Sequence, residues 1–224
     1  MTGIGTAADA DLLVVGLVLL AVLLFSAAVR FARWPLWLAG YAVAVLVLAG
    51  AFFFRDPERI GDRGRDLVLA PADGRVLAVD RLVEPDYLAG PAIRVSIFLS
   101  LLDVHVQRSP VTGVVEYVRR REGGFAAAWS ERAESENQST LIGIDAGHAR
   151  VAVRQVTGLV ARRIVTVVSE DEPVTQGQRL GLIRFGSRVD AFLPASAEVH
   201  VAPGDRVVAG TTVLARFAPV REEG

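Results

Sequence analysis

The sequence predicts a mainly β protein of the α+β kind, an antiparallel sheet or barrel-sandwich-like domain preceded by a two-helix membrane hairpin. Three observations predict it. Two uncharged apolar runs occupy residues 12–29 and 34–54. From residue 67 onward, short apolar runs alternate with Gly, Pro and Asp about every 8–12 residues, the rhythm of an antiparallel β domain. Residues 123–139 alone break that rhythm and are the candidate for a helix or long loop.

The elements follow in order. Residues 1–11 form a tail, and Asp9 and Asp11 within it argue against a cleaved signal peptide, which opens on basic residues. Residues 12–54 read as the hairpin, because each run approaches or reaches the length of a membrane-crossing helix and only "RFAR" (30–33) lies between them. Arg55, Arg59, Arg63 and Arg65 after the second run favour a cytoplasmic main domain, while Arg30 and Arg33 at the hairpin tip pull the other way. A shallow hairpin with snorkelling tip arginines would reconcile the two.

Residues 55–224 form one domain with a core of its own. Its strand candidates include "LVLAPADGRVLAV", "AIRVSIFLS", "GVVEYV", "TLIGID", "ARVAVRQVTGLVARRIVTVV", "QRLGLIRFG", "RVDAFLP" and "TTVLARF". Two of them are weakly alike: "VTQGQRLGLIRFG" (174–186) and "VVAGTTVLARFAP" (207–219) share a valine, a glycine turn and an apolar strand ending in Arg-Phe. Such units recur in barrel-sandwich modules, among them biotinyl and lipoyl carriers and membrane-fusion adaptors.

Composition removes several chemistries. The 24 basic residues are all arginine, and cysteine is absent. Without lysine there is no internal Schiff base to pyridoxal phosphate, no biotinyl or lipoyl attachment and no P-loop lysine. Without cysteine there is no thiolate nucleophile, disulfide or cysteine-ligated metal. A net charge of −1 gives no nucleic-acid footprint. Three histidines remain: His105, His148 and His200.

Five stretches could carry chemistry: "FFFRDPER" (52–59), "APADGRV" (70–76), "FLSLLDVHVQRSPVTGVV" (98–115), "REGGFAAAWSERAESENQST" (121–140) and "RFGSRVDAFLP" (184–194). Each has a plain reading alone. Asp73 of "PADG" suits a turn. His105 follows Asp103 by two residues on an apparent strand, so the two would share a face. Gly186-Ser187 reads as a hairpin turn.

Taken together, "FRDPER", "PADG", "DVHVQRSPVTG" and a late "FGSRVD" resemble the phosphatidylserine decarboxylase family in its short, membrane-anchored prokaryotic form, over about residues 52–217. The resemblance implies a self-cleaving zymogen. Ser187 would attack the Gly186 carbonyl, splitting the protein into a β chain (1–186) and an α chain (187–224) whose first residue becomes a pyruvoyl group. That covalent cofactor would replace pyridoxal phosphate, which agrees with the missing lysine, and no metal is implied. Asp73 and His105 would orient and supply the base for Ser187, with His105 also protonating the product.

Longer members carry two histidines before the proline, whereas this chain has His105 and then Arg108. Either His105 serves both steps, or Arg108 binds the substrate carboxylate or phosphate with its planar fork. Arg119, Arg120 and Arg121 ahead of Phe125 and Trp129 suit a bilayer interface, with Phe125 a substrate contact. The expected partners are a phospholipid, the bilayer and the protein's own two chains, with a homodimer open and no nucleic acid. The expected location is the inner cell membrane, and the expected role is phosphatidylethanolamine biosynthesis. A non-catalytic adaptor, or a decarboxylase of a related lipid such as archaetidylserine, is the alternative.

Overall fold

The computed structural model describes residues 16, 18–27, 29, 30, 34–53, 55–130, 132–159, 163–183 and 186–218. They fall into two compact units, Met1–Arg55 and Asp56–Gly224.

In the first unit, residues 18–27 are helical, and a continuous helix runs over Trp34–Phe53. Pro35 sits in its first turn, where no intrahelical N–H bond is lost. At the other end the Arg55 guanidinium lies 3.7 Å from the Phe52 ring and donates to the Phe52 carbonyl at 2.6 Å, capping the helix. The two helical stretches touch where Phe25 meets Trp37 edge-on at 4.9 Å between centroids. The helix has 20 residues and none is charged. Among the described residues no helix is long and apolar enough to cross a membrane. The hairpin expected over 12–54 therefore stays an expectation, with 12–15, 17, 28, 31–33 and 54 outside the described residues.

The second unit is antiparallel β throughout its named strands. Its elements are β1 (Leu67–Leu69), β2 (Gly74–Glu84), β3 (Gly90–Leu99), β4 (Val106–Arg108), β5 (Gly113–Arg121), β6 (Ser139–Asp145) and β7 (Arg150–Val156). There follow β8 (Ile164–Thr166), β9 (Pro173–Val174), β10 (Arg179–Ile183), β11 (Ser187–Pro194), β12 (Glu198–Val199), β13 (Arg206–Val207) and β14 (Val213–Arg216). An eight-stranded sheet has the order β13-β2-β3-β11-β7-β6-β5-β9, and two three-stranded sheets have the orders β1-β14-β12 and β4-β10-β8.

Strand β11 lies inside the large sheet, with Ser187 opposite Leu99 of β3 and Arg188 opposite both Phe98 of β3 and Val156 of β7. Alternation sends Val189, Ala191 and Leu193 into the main core beside Val95, Ile97 and Val153. Phe192 goes to the other face, with Ala152, Leu141 and Tyr87. Arg188 and Asp190 share that second face and are buried as well, so β11 is covered on both sides.

Two expectations change here. Gly186-Ser187 is not the tip of a hairpin: β10 before it and β11 after it belong to different sheets. The run from Ala149 to Val168 is not one strand either; it breaks after Val156, and β7 and β8 enter different sheets. Residues 123–139 form a loop with one short helix, Arg132–Glu136. The weak internal repeat has a structural counterpart. Gly177 and Gly210, the turn glycines of its two halves, adopt φ of +88° and +65° and pack against each other, a Cβ on Gly210 lying 3.5 Å from the Gly177 Cα.

Candidate active site

The site grows from the junction of β10 and β11. Gly186 takes φ +67°, the left-handed region that glycine tolerates best. Ser187 then starts β11 with its side chain wholly buried, and its Oγ finds no hydrogen-bond partner among the described residues. A buried hydroxyl without a partner costs free energy, which makes Ser187 the polar atom in need of an explanation.

His105 faces the same bond. It is buried at the end of the 100–104 loop, immediately before β4. The Gly186 amide donates to its Nε2 at 3.1 Å, and its Nδ1 lies 2.8 Å from the Asp103 carbonyl. An accepting Nε2 leaves the proton on Nδ1, which donates to that carbonyl, so the lone pair points at the Gly186-Ser187 stretch. The Ile183 amide and the Gln107 side chain donate to the His105 carbonyl at 3.3 and 2.8 Å, fixing its backbone against β10.

Asp103 and His105 do not lie on one strand. The Asp103 carboxylate turns instead to the Ser100 amide and hydroxyl, at 2.8 and 2.6 Å, and to Arg206 at 2.6 Å. Asp73 accepts both contacts of Arg59 Nη2, at 3.0 and 2.8 Å, and the Ala209 amide at 2.8 Å. The ring of His105 is thus oriented by a backbone carbonyl, while Asp73 ties the "FRDPER" segment to the turn before β14. Arg108 is also engaged: it donates to the Gly177 carbonyl at 2.9 Å and to Asp56, which pairs with Arg179 too. His148 bonds the Ala146 carbonyl and meets Phe217 edge-on. His200 takes its place through a backbone bond to Leu214.

Three residues to which the motifs assigned no role pack around the junction or the strand that follows it. A Cβ on Gly158 would stand 2.3 Å from the Gly186 carbonyl oxygen and 3.1 Å from the Ala128 Cβ, so the 124–130 loop and the Thr157-Gly158 turn pack against the junction. Asn137, wholly buried, holds that loop: it accepts from the Ala126 amide at 2.6 Å and donates to the carbonyls of Ala126 and Thr157 at 2.8 Å each. Glu134 pairs with Arg94, Arg154 and Arg188 on the second face of the sheet.

On that face Arg188 and Arg154 also hold Asp190, at 2.6 and 3.0 Å. Burial alone would raise the Asp190 carboxyl, but the two guanidiniums and the hydrogen bonds from Arg188 and Ser96 outweigh it and hold it below the ordinary carboxylate range. Phe125 lies on the loop that also carries Ala128 and Trp129, and Trp129 meets Phe98 edge-on at 5.7 Å.

An antiparallel β domain that buries a serine, unpartnered among the described residues, behind a left-handed glycine, with a histidine nitrogen accepting from that glycine's amide, is the class of protein that the fold and candidate site define. The comparisons give that class its family. The family model described as phosphatidylserine decarboxylase matches residues 49–215. A phosphatidylserine decarboxylase proenzyme of Symbiobacterium thermophilum is 50% identical over 183 residues, 81% of this chain and 85% of the relative. The chain belongs to the phosphatidylserine decarboxylase family.

Proposed function

We propose that the protein converts phosphatidylserine to phosphatidylethanolamine and carbon dioxide, as a carbon–carbon lyase, after cutting its own backbone before Ser187. The observation that carries this reading is the Ser187 hydroxyl, buried and, among the described residues, unpartnered, next to the Gly186 amide that His105 holds. A non-catalytic adaptor would be expected to leave a turn serine exposed or hydrogen-bonded, and Ser187 is neither.

In the proposed processing, Ser187 Oγ attacks the Gly186 carbonyl carbon, and the new C–O bond replaces the C–N bond. The hydroxyl proton passes to His105 Nε2 and on to the departing nitrogen. His105 must first give up the Gly186 amide, and the missing partner of Ser187 Oγ makes that exchange favourable. Loss of the residue 187 Cα proton to a base then expels residues 1–186 as a C-terminal carboxylate and leaves dehydroalanine at 187, which water converts to a pyruvoyl group and ammonia.

A buried serine free of competing bonds fits that fate. The pyruvoyl ketone supplies the electron sink that loss of carbon dioxide from an amino-acid α-carbon requires. In this reading His105 Nε2, which now accepts from the Gly186 amide, holds a proton beside residue 187 through both stages. Asp73 as the orienting carboxylate and Arg108 as a carboxylate or phosphate ligand belong to the same proposal, but each must exchange its present partner, Arg59 or Asp56, to act so. Phe125 contributes to the lipid contact. The segment 12–54 anchors the enzyme in the cell membrane with residues 55–224 on the cytoplasmic side.

Intact mass spectrometry of the full chain purified in detergent tests the reading. The expected result is two chains, the smaller beginning at residue 187 with a ketone in place of the serine amine. A single uncut chain with undiminished decarboxylase activity would overturn it. Turnover of archaetidylserine in preference to phosphatidylserine would keep the chemistry and change the lipid.

A further inference from the structure

Of the nine large apolar side chains that the described part of the second unit exposes, five surround the Gly186-Ser187 junction: Leu101, Leu102, Phe125, Trp129 and Leu159, with exposures of 54%, 71%, 37%, 62% and 61%. The other four, Ile60, Val83, Val114 and Val167, lie on separate elements.

Three loops bring the five together. Leu101 and Leu102 lie on the loop that starts just beyond Leu99, the partner of Ser187, and ends at His105, which holds the Gly186 amide. Trp129 rests on Phe98, which pairs with Arg188, and Ala128 before it packs at Gly158. Leu159 follows Gly158, whose Cα approaches the Gly186 carbonyl. Scattered apolar side chains on a surface are ordinary, but a cluster on loops that pack at one junction marks an interaction surface.

We infer that Leu101, Leu102, Trp129 and Leu159, with Phe125, form a rim that enters the acyl region of a lipid bilayer, so that an anionic two-chain lipid reaches residue 187 with its chains still in the membrane. The occupant follows from chemistry on the page. Residue 187 is buried, and the substrate of the family is a lipid whose charged head must reach it while its tails stay out of water. An apolar collar around the entrance meets both demands, and a tryptophan at its edge suits the headgroup boundary. The inference rests on the lipid decarboxylase reading for the identity of the occupant.

Trp129 is a built-in probe. The chain has three tryptophans, so Trp34→Phe with Trp37→Phe leaves Trp129 alone. The full-length protein carrying these changes, and Ser187→Ala so that it cannot be cut, is placed in phosphatidylcholine and phosphatidylserine vesicles. The expected result is that Trp129 fluorescence is quenched by lipids with brominated chains and protected from aqueous acrylamide. Quenching by acrylamide alone overturns the inference. Protection from both quenchers also overturns it and points to a second copy of the chain on this surface. Because the uncut variant is used, failure of the catalytic reading leaves the result interpretable.

Leu101→Asn, Leu102→Asn and Leu159→Asn combined in the cleavable protein should raise the KM for long-chain lipid in mixed micelles about tenfold. The extent of cleavage, kcat and turnover of a short-chain soluble analogue should stay level. An unchanged KM, or an equal loss on both substrates, would overturn the inference.

Discussion

A Cβ on residue 158 would lie 2.3 Å from the carbonyl oxygen of Gly186, closer than real Cβ contacts come. The carbonyl that Ser187 attacks in the proposed processing is therefore positioned by the bare backbone of Gly158, and the fit tolerates no side chain.

Gly158→Ala should displace that carbonyl and slow self-cleavage about a hundredfold, the scale on which a misplacement near 1 Å acts. Once cut, Gly186 is a free terminus that can move aside, so decarboxylation per mole of pyruvoyl should stay near wild type. Gly186→Ala should behave differently: among the described residues nothing lies within 4 Å of its added Cβ, and only the left-handed φ resists, at about 1–2 kcal/mol. Cleavage time courses followed by gel and mass would show Gly158→Ala far slower; equal rates would refute the positioning argument.

His105→Ala should slow cleavage about 10²- to 10⁴-fold, the contribution of a positioned base. Asp73→Asn tests the orienting role against the ion pair with Arg59. Because the Asp103 carbonyl already holds the ring, the expected result is a loss of stability with cleavage slowed far less than by His105→Ala. Mass-spectrometric rates and a thermal melt on the two variants decide between the roles.

Arg108→Gln and Asp56→Asn should each destabilise the fold, and together they should cost less than their sum, with a coupling of about 0.5–3 kcal/mol. The pair lies largely out of solvent and joins the start of the second unit to β4. Urea titrations of the single and double variants give the coupling. A KM that rises for Arg108→Gln alone would assign Arg108 to the substrate.

Asp190→Asn should cost about 3–5 kcal/mol near neutral pH, because it leaves Arg188 and Arg154 facing each other without their buried carboxylate. The folded carboxyl titrates below its unfolded range, so the stabilisation is fully present above about pH 5. It fades as pH falls through about 4 and below. Unfolding free energies of wild type and variant should converge in acid; a gap that is constant with pH would show that the carboxylate's charge is not its source.

The β domain was legible because its strands alternate and its turns are punctuated by Gly, Pro and Asp. Less legible was where each strand goes: a glycine between two apolar runs looks the same whether they pair with each other or, as with β10 and β11, part into separate sheets. Ser187 and His105 stood out as candidates in the motifs, and the His105 ring accepts from the amide of Gly186, the residue before Ser187. Gly158 lies outside the motifs, and Asn137 and Glu134, though inside the 121–140 stretch, carried no assigned role there, since each matters only through what the fold sets against it. Asp103 misled for the opposite reason: its spacing from His105 suggested a shared face, but the intervening chain is a loop.

The place of β11 between β3 and β7 has a consequence for the life of the molecule. Severing the backbone ahead of an interior strand does not loosen it, because Ser187 through Pro194 remains laced to β3 along its whole length and to β7 along much of it. The later short strands are likewise stitched to β1 and β2. Under the proposed processing the two pieces would not be subunits that meet; they would be one folded object with a gap in its thread, held by the same strand pairing as the uncut chain. Maturation would then be a one-way event that each molecule undergoes once, and a denatured mature enzyme would have lost the covalent continuity with which it first folded.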